Sequence, residues 1–287
     1  MARPLPSRNT WFRTFHARPD ARVTLVCLPY AGGSASAFIS LSERLPPWIE
    51  VFAAQYPGRQ DRIREPCLTT VPELAEAAFE ELRALAANRP CALLGHSMGA
   101  AVAFELTRLL ERDGPAAPQA LFVSGRRAPS ISGDRGVRFR DDEGIVDELR
   151  ELEGTDSRVF DEPELLGLIL PTVRADYGAA EAYSTGPDAM VGSPVVALVG
   201  DRDHHVPVGE AAAWSEHTTG AFELEVFPGG HFFLTDNEPA IASLVTDTLR
   251  APPRQVRRGV TREEARRLNG ASRTDRSTAR PLTRRWR

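Results

Sequence analysis

From residue 23 to residue 250 the chain alternates short apolar runs with longer stretches in which apolar positions recur every three or four residues. Six runs have strand length: residues 23–28, 51–55, 92–94, 120–124, 194–199 and 224–227. Between and after them lie helical periods. Residues 72–87 place Leu74, Ala78, Leu82 and Leu85 on one face behind Thr70 as a candidate cap, and 100–112 place Val102, Leu106, Leu109 and Leu110 likewise. Residues 239–250 do the same with Ile241, Leu244, Val245 and Leu249. Strands alternating with helices imply an α/β fold built of βα units on a mostly parallel sheet. One interval, between the strands ending near 124 and beginning near 194, is too long for a loop and must carry its own structure. Helical periods at 142–152 and 163–183 predict a helical insertion over the sheet's end, with bounds of about 132–190. The expected organisation is one domain over 1–250 with that insertion as a lid. Residues 251–287 lose the apolar period and form a basic tail expected to be disordered.

Composition narrows this picture slightly. The 287 residues are 42% hydrophobic and 26% charged, enough to bury a sizeable core. The net charge of -4 hides an asymmetry, since the tail holds 12 arginines against Glu263, Glu264 and Asp275. Cys27, Cys67 and Cys91 are scattered, which fits free thiols in a reducing compartment. No secretory pattern is seen and no apolar run approaches membrane-spanning length. The expectation is a soluble cytoplasmic monomer that binds neither nucleic acid nor membrane.

The candidate chemistry begins at Gly95-His96-Ser97-Met98-Gly99, which follows a strand and precedes a helix. This is the G-x-S-x-G nucleophile elbow in its required context. The glycines remove side chains that would strike neighbouring backbone, and Ser97 is held in a strained, exposed turn. A serine hydroxyl needs a histidine base oriented by a carboxylate, in the chain order Ser, acid, His for this architecture. The strand at 194–199 runs into Asp201 and Asp203, and the strand at 224–227 runs into Gly229-Gly230-His231-Phe232-Phe233-Leu234. His231 is the expected base, its loop freed by two glycines and anchored by Phe232, Phe233 and Leu234. His204 and His205 lie too close to the acid to reach Ser97, His96 packs beside the nucleophile, and His16 and His217 read as surface residues. Asp203 is favoured as the acid because Val206-Pro207 downstream of it resembles the D-x-x-V pattern after the triad acid in many α/β-hydrolases, leaving Asp201 to shape the loop. The alternative assignment to Asp201 stays open on spacing alone.

The oxyanion donors are expected to be the backbone N–H groups of Ala31, in the Leu28–Gly33 loop, and of Met98 at the start of the helix. A phosphate-cradling role for that loop fails on spacing, since neither G-x-G-x-x-G nor the Walker pattern is present. Arg59 and Arg62 read as rim residues that could meet a phosphate, a role surface arginines seldom have.

Together, Leu28-Pro29-Tyr30-Ala31-Gly32-Gly33, Gln55-Tyr56-Pro57-Gly58-Arg59, Gly95-His96-Ser97-Met98-Gly99, Val173-Arg174-Ala175-Asp176-Tyr177 and Gly229-Gly230-His231-Phe232-Phe233-Leu234 resemble the type II thioesterases that accompany polyketide and non-ribosomal peptide synthetases. The resemblance covers about residues 11–249. It implies an α/β-hydrolase fold with a flexible lid, a Ser97–Asp203–His231 triad, and no metal or cofactor. It further implies hydrolysis of unproductive acyl groups from the phosphopantetheine arm of acyl or peptidyl carrier proteins. Leu28 stands where the family often has Phe, and the arginine-rich tail is the larger departure. Two rivals remain: a thioesterase releasing medium-chain fatty acyl groups, and a catalytically silent hydrolase fold used as a binding module.

Overall fold

The computed structural model describes residues 10–132, 135–152, 154 and 157–250. The arginine-rich segment 251–287 lies outside the described residues. Seven strands form one sheet: β1 (Phe12–Arg13), β2 (Val23–Leu28), β3 (Ile49–Ala54), β4 (Cys91–His96), β5 (Leu121–Ser124), β6 (Val195–Gly200) and β7 (Phe222–Phe227). Its order is β1-β3-β2-β4-β5-β6-β7, parallel throughout except for β1, which pairs antiparallel with β3. The helices are α1 (Ile39–Arg44), α2 (Val71–Asn88), α3 (Met98–Asp113), α4 (Asp142–Glu151), α5 (Pro163–Ala182), α6 (Val208–Ala212), α7 (Phe233–Asp236) and α8 (Glu238–Arg250). No helix among the described residues is long and apolar enough to cross a membrane.

Alternation along β2 explains how helices cover both faces. Val26 and Leu28 join the core shared with α2 and α3, whereas Leu25 and Cys27 join the core shared with α1 and α8. Every residue of β2 is therefore buried, as a central parallel strand requires. α2 begins with the capping box that Thr70 suggests, its hydroxyl accepting from the Glu73 amide while the Glu73 carboxylate accepts from the Thr70 amide. β3 starts two residues earlier than the apolar pattern indicates. The reason is Glu50, a charged residue buried in the strand, which accepts from the Arg18 amide at 2.8 Å and meets Arg89 at 3.0 Å.

Between β5 and β6 the insertion carries α4 and α5, with a small core of its own from Val137, Ile145, Leu149 and Val173. The Tyr183 hydroxyl, just beyond α5, donates to the Glu105 carboxylate at 2.6 Å and ties the insertion to α3. The chain leaves β2 toward β3 on one side and β4 lies on the other, so a crevice opens at the carboxyl ends of β2 and β4. In open α/β sheets, ligands bind at such a switch point.

Candidate active site

Ser97 sits at this crevice, between β4 and α3, with φ 54° and ψ −116°. Among the described residues only Gln60 shares a positive φ without being glycine. Strain of this kind costs about 1–3 kcal/mol and persists only where the surroundings impose it. The Ser97 amide donates to the Ser124 carbonyl at 2.8 Å. A side chain on Gly95 would lie 2.1 Å from the Gly99 carbonyl oxygen, and one on Gly99 would lie 2.0 Å from that of Leu28. Both glycines thus let strand, turn and helix pass closer than any other residue permits. Met98, the first residue of α3, is one of the helix-start amides with no partner within its helix.

The two downstream loops meet above the same edge. Asp203 is buried; its Oδ2 lies 2.8 Å from His231 Nδ1, and its Oδ1 accepts from the amides of His205 at 2.8 Å and Val206 at 3.2 Å. Burial works to raise the Asp203 carboxyl, but its hydrogen bond to His231, the His231 charge and the His205 amide outweigh it, and the net direction is down. A carboxylate only accepts, so His231 carries its proton on Nδ1 and leaves Nε2 as the acceptor. Asp201 is exposed and accepts instead from the Gly229 amide at 2.8 Å, bracing the loop that carries His231. Phe233 and Leu234 anchor that loop in the core. Phe232 does not: its ring packs edge-on against Tyr30 at 4.7 Å and lines the cavity with Ser97 and His231.

His96 packs beside Ser97, 2% exposed, its Nδ1 3.0 Å from the Ser124 hydroxyl and its ring 5.3 Å from that of His231. Burial and the nearby His231 push its pKa down to about 3. His205, set aside in the sequence as too close to the acid, lies with its ring tilted 5.4 Å from that of His231 and lines the cavity. Burial, His231 and Arg135 push its pKa down to about 4. His217 is no surface residue: it is fully buried, held by the Ser130 hydroxyl at 2.8 Å and the Ala189 carbonyl at 2.7 Å.

Histidines buried neutral make stability depend on pH with a definite sign. The unfolded chain binds protons at His96 from about pH 6.5 downward, while the folded chain does so only near pH 3. That contribution is fully present above pH 6.5 and shrinks as the pH falls toward 3. His96 alone should lower the unfolding free energy by about 2 kcal/mol between pH 7 and pH 5. Urea unfolding at the two values checks this; equal midpoints with equal slopes would exclude it.

The loop after β2 makes a type II turn over residues 30–33. The Gly33 amide donates to the Tyr30 carbonyl at 2.9 Å, and Gly32 supplies the positive φ of 75° that the third position requires. The Gly32 amide donates to Asp176 at 2.7 Å. Ala31 lines the cavity with Ser97 and His231, and the amides of its two successors are committed elsewhere. The cavity has a volume of about 80 Å³ and its insertion side combines Arg135, Glu148 and Glu181 with Val137, Leu152 and Tyr177. Glu148 is 1% exposed and held by Arg135 at 3.0 Å and Arg140 at 3.2 Å. Arg59 and Arg62 are not rim residues but are 6% and 8% exposed, Arg59 paired with Asp176 and Arg62 stacked 4.6 Å from the Trp11 ring. Among the described residues, no group of three or more His, Cys, Asp or Glu is gathered to hold a metal ion.

The chain and its fold resemble known proteins. The chain is 48% identical to thioesterase PikA5 of Streptomyces venezuelae over 239 residues, covering 83% of this chain and 85% of that one. It is 37% identical to the gramicidin S biosynthesis protein GrsT of Aneurinibacillus migulanus, covering 84% and 94%. The structure of the type II thioesterase BorB from the borrelidin biosynthetic cluster superposes with a TM-score of 0.77 at 45% identity, covering 83% and 97%. Residues 23–249 match the model of the thioesterase domain family as one continuous span that contains the elbow, both loops and the insertion, and the chain belongs to that family.

Proposed function

We propose that this protein is a type II thioesterase that hydrolyses short acyl groups from the phosphopantetheine thiol of carrier proteins in polyketide or non-ribosomal peptide synthesis, using Ser97, His231 and Asp203. The observation that carries the reading is a strained serine sharing a cavity with a histidine whose far nitrogen is held by a buried aspartate. His231 Nε2 takes the Ser97 proton as Oγ attacks the thioester carbonyl. The oxyanion forms against the amides of Ala31 and Met98, each such donor being worth about 10²–10³ in rate. The C–S bond then breaks, the sulfur leaves as a thiol with the proton from His231, and an acyl-serine remains. The conjugate base of a thiol with a pKa of about 8.5 is a better leaving group than an alkoxide, so breaking the C–S bond needs little help from acid. Water, deprotonated by His231, releases the carboxylic acid and restores Ser97.

The cavity's size favours short acyl groups over medium chains. Its volume of about 80 Å³ is roughly half the ~150 Å³ that holds one benzene ring, so the apolar side chains that line it, Val137, Leu152 and Phe232 among them, enclose only a short acyl group. A longer chain requires the insertion to move aside as a lid. Rates on acetyl- and decanoyl-carrier protein test this: a higher kcat/KM on the acetyl form is expected, and strong preference for decanoyl would assign the chain-releasing activity instead. Labelling by a fluorophosphonate probe is expected at Ser97, and no labelling would favour the silent binding module.

The acid assignment has its own test. Asp203→Asn should lower kcat by about 10⁴-fold, because the amide offers its N–H to Nδ1 and favours the wrong tautomer. Asp201→Asn keeps an acceptor for the Gly229 amide at an exposed position and should leave kcat within about threefold of wild type. Steady-state rates of both variants decide, and the reverse ranking would transfer the role to Asp201.

A further inference from the structure

Two of the sequence stretches that marked the family, residues 55–59 and 173–177, supply none of the three reacting side chains. They meet each other beneath the oxyanion turn. Asp176, on α5, is wholly buried. Its Oδ2 accepts from the Gly32 amide at 2.7 Å and from Arg59 Nη1 at 2.7 Å, while Oδ1 accepts from Arg59 Nη2 at 2.9 Å. Arg59 Nη1 also donates to the Gly33 carbonyl at 3.0 Å. One bidentate ion pair therefore grips an amide and a carbonyl of the same turn. The rest of residues 55–59 holds the surrounding loop: Gln55 accepts from the Ala35 amide at 2.9 Å, and the Arg59 guanidinium lies 5.1 Å from the Tyr56 ring centre.

Resting on the reading of Ser97 as nucleophile, we propose that Arg59 and Asp176 are positioning residues for the oxyanion hole. They fix the turn over residues 30–33 so that the Ala31 amide faces the reacting carbonyl, and they make that placement depend on the insertion helix α5. Fold stability alone is a weak reason for such a pair, because a buried ion pair is commonly matched or bettered by apolar residues of similar volume. The pair does what apolar side chains cannot, which is to hold two polar backbone groups of the turn in fixed directions. Two further features bring α5 against the turn and against the loop that carries Arg59. A side chain on Gly32 would lie 3.0 Å from Val173 Cγ2, and the Thr172 hydroxyl donates to the Gly58 carbonyl at 2.6 Å. A misplacement of about 1 Å at a reacting centre can cost about 10²-fold in rate.

Three variants test the assignment: Asp176→Asn, Arg59→Lys, and the double Arg59→Met with Asp176→Leu, which removes both charges together. For each, kcat and KM on acetyl-carrier protein are normalised to Ser97 titrated to completion with a fluorophosphonate, and cooperative thermal unfolding reports the fold. Asp176→Asn and the folded double variant should lose about 10²-fold in kcat with KM within threefold, consistent with the loss of one aligned donor. Arg59→Lys keeps the charge but not the fork and should fall between them and wild type. A folded double variant with wild-type kcat would overturn the proposal, as would loss of cooperative unfolding in all three, which would make the pair purely structural. Failure of the underlying reading looks different, since the wild-type protein itself would then neither turn over nor label.

Discussion

Replacing Ser97 by alanine is expected to lower kcat on a carrier-bound thioester by on the order of 10⁶-fold, and Ser97→Ala combined with His231→Ala to cost little more. Nucleophile and base act as one unit: without the hydroxyl the imidazole has no proton to take, and without the imidazole the hydroxyl is a poor nucleophile at neutral pH. Activity that remains comes from binding and the oxyanion amides. The fold should be indifferent, because serine and alanine suffer the same positive φ of 54°. Ser97→Ala should stay within about 0.5 kcal/mol of wild type, whereas Ser97→Gly relieves the strained backbone and should gain about 1 kcal/mol. Steady-state kinetics and urea unfolding measure both effects. Turnover by Ser97→Ala at more than a few per cent of wild type would end the serine mechanism.

The largest expected loss of stability comes from a single methyl group. Gly99→Ala sets a Cβ 2.0 Å from the Leu28 carbonyl oxygen, 2.5 Å from its carbon and 2.6 Å from the Pro29 oxygen. All three are backbone atoms of β2 and its exit, held in place by the parallel pairing of β2 with β4. No flexible side chain can move aside, so the helix and the oxyanion loop must separate. A cost of at least about 3 kcal/mol follows, a fall in Tm of about 6–12 °C for a domain of this size. The surviving folded fraction should also acylate slowly, since the displaced segment leads directly into Ala31. Gly167→Ala is the control: it lies in α5, exposed, with no atom within 4 Å of the added carbon, and should gain about 0.5–1 kcal/mol. Calorimetry of the two variants gives shifts of opposite sign; a Tm within 2 °C of wild type for Gly99→Ala would contradict the packing described.

Much of the architecture was open to reading because its causes are local. Apolar runs and their period mark six of the seven strands and the five longest helices. β1 escaped, since two residues, Phe12 and Arg13, have no period, and their pairing with Ala54 and Ala53 is made across the fold. The insertion was betrayed by its length and by the two helical periods within it. His217 misled because a histidine between polar neighbours reads as surface, and its burial depends on Ser130 and Ala189, which fold over it from elsewhere in the chain.

Within the site, Gly95, Ser97 and Gly99 could be identified from the sequence itself, because the elbow is a backbone conformation and its steric demands are written into consecutive residues. The loop holding His231 was readable for the same reason. Assigning partners was another matter. Asp201 and Asp203 are indistinguishable by period, and the structure separates them by burying one against His231 and turning the other to the Gly229 amide. Arg59 and Asp176 lie 117 positions apart, and no spacing rule joins them; only the return of α5 over the loops after β2 and β3 brings the charges together. The chain thus encodes locally where its backbone must bend, since excluded volume acts between neighbours in sequence. Which charges meet is decided by the packed fold, since electrostatic pairing depends on distance in space and on the exclusion of water, and neither exists until the sheet and its insertion have closed.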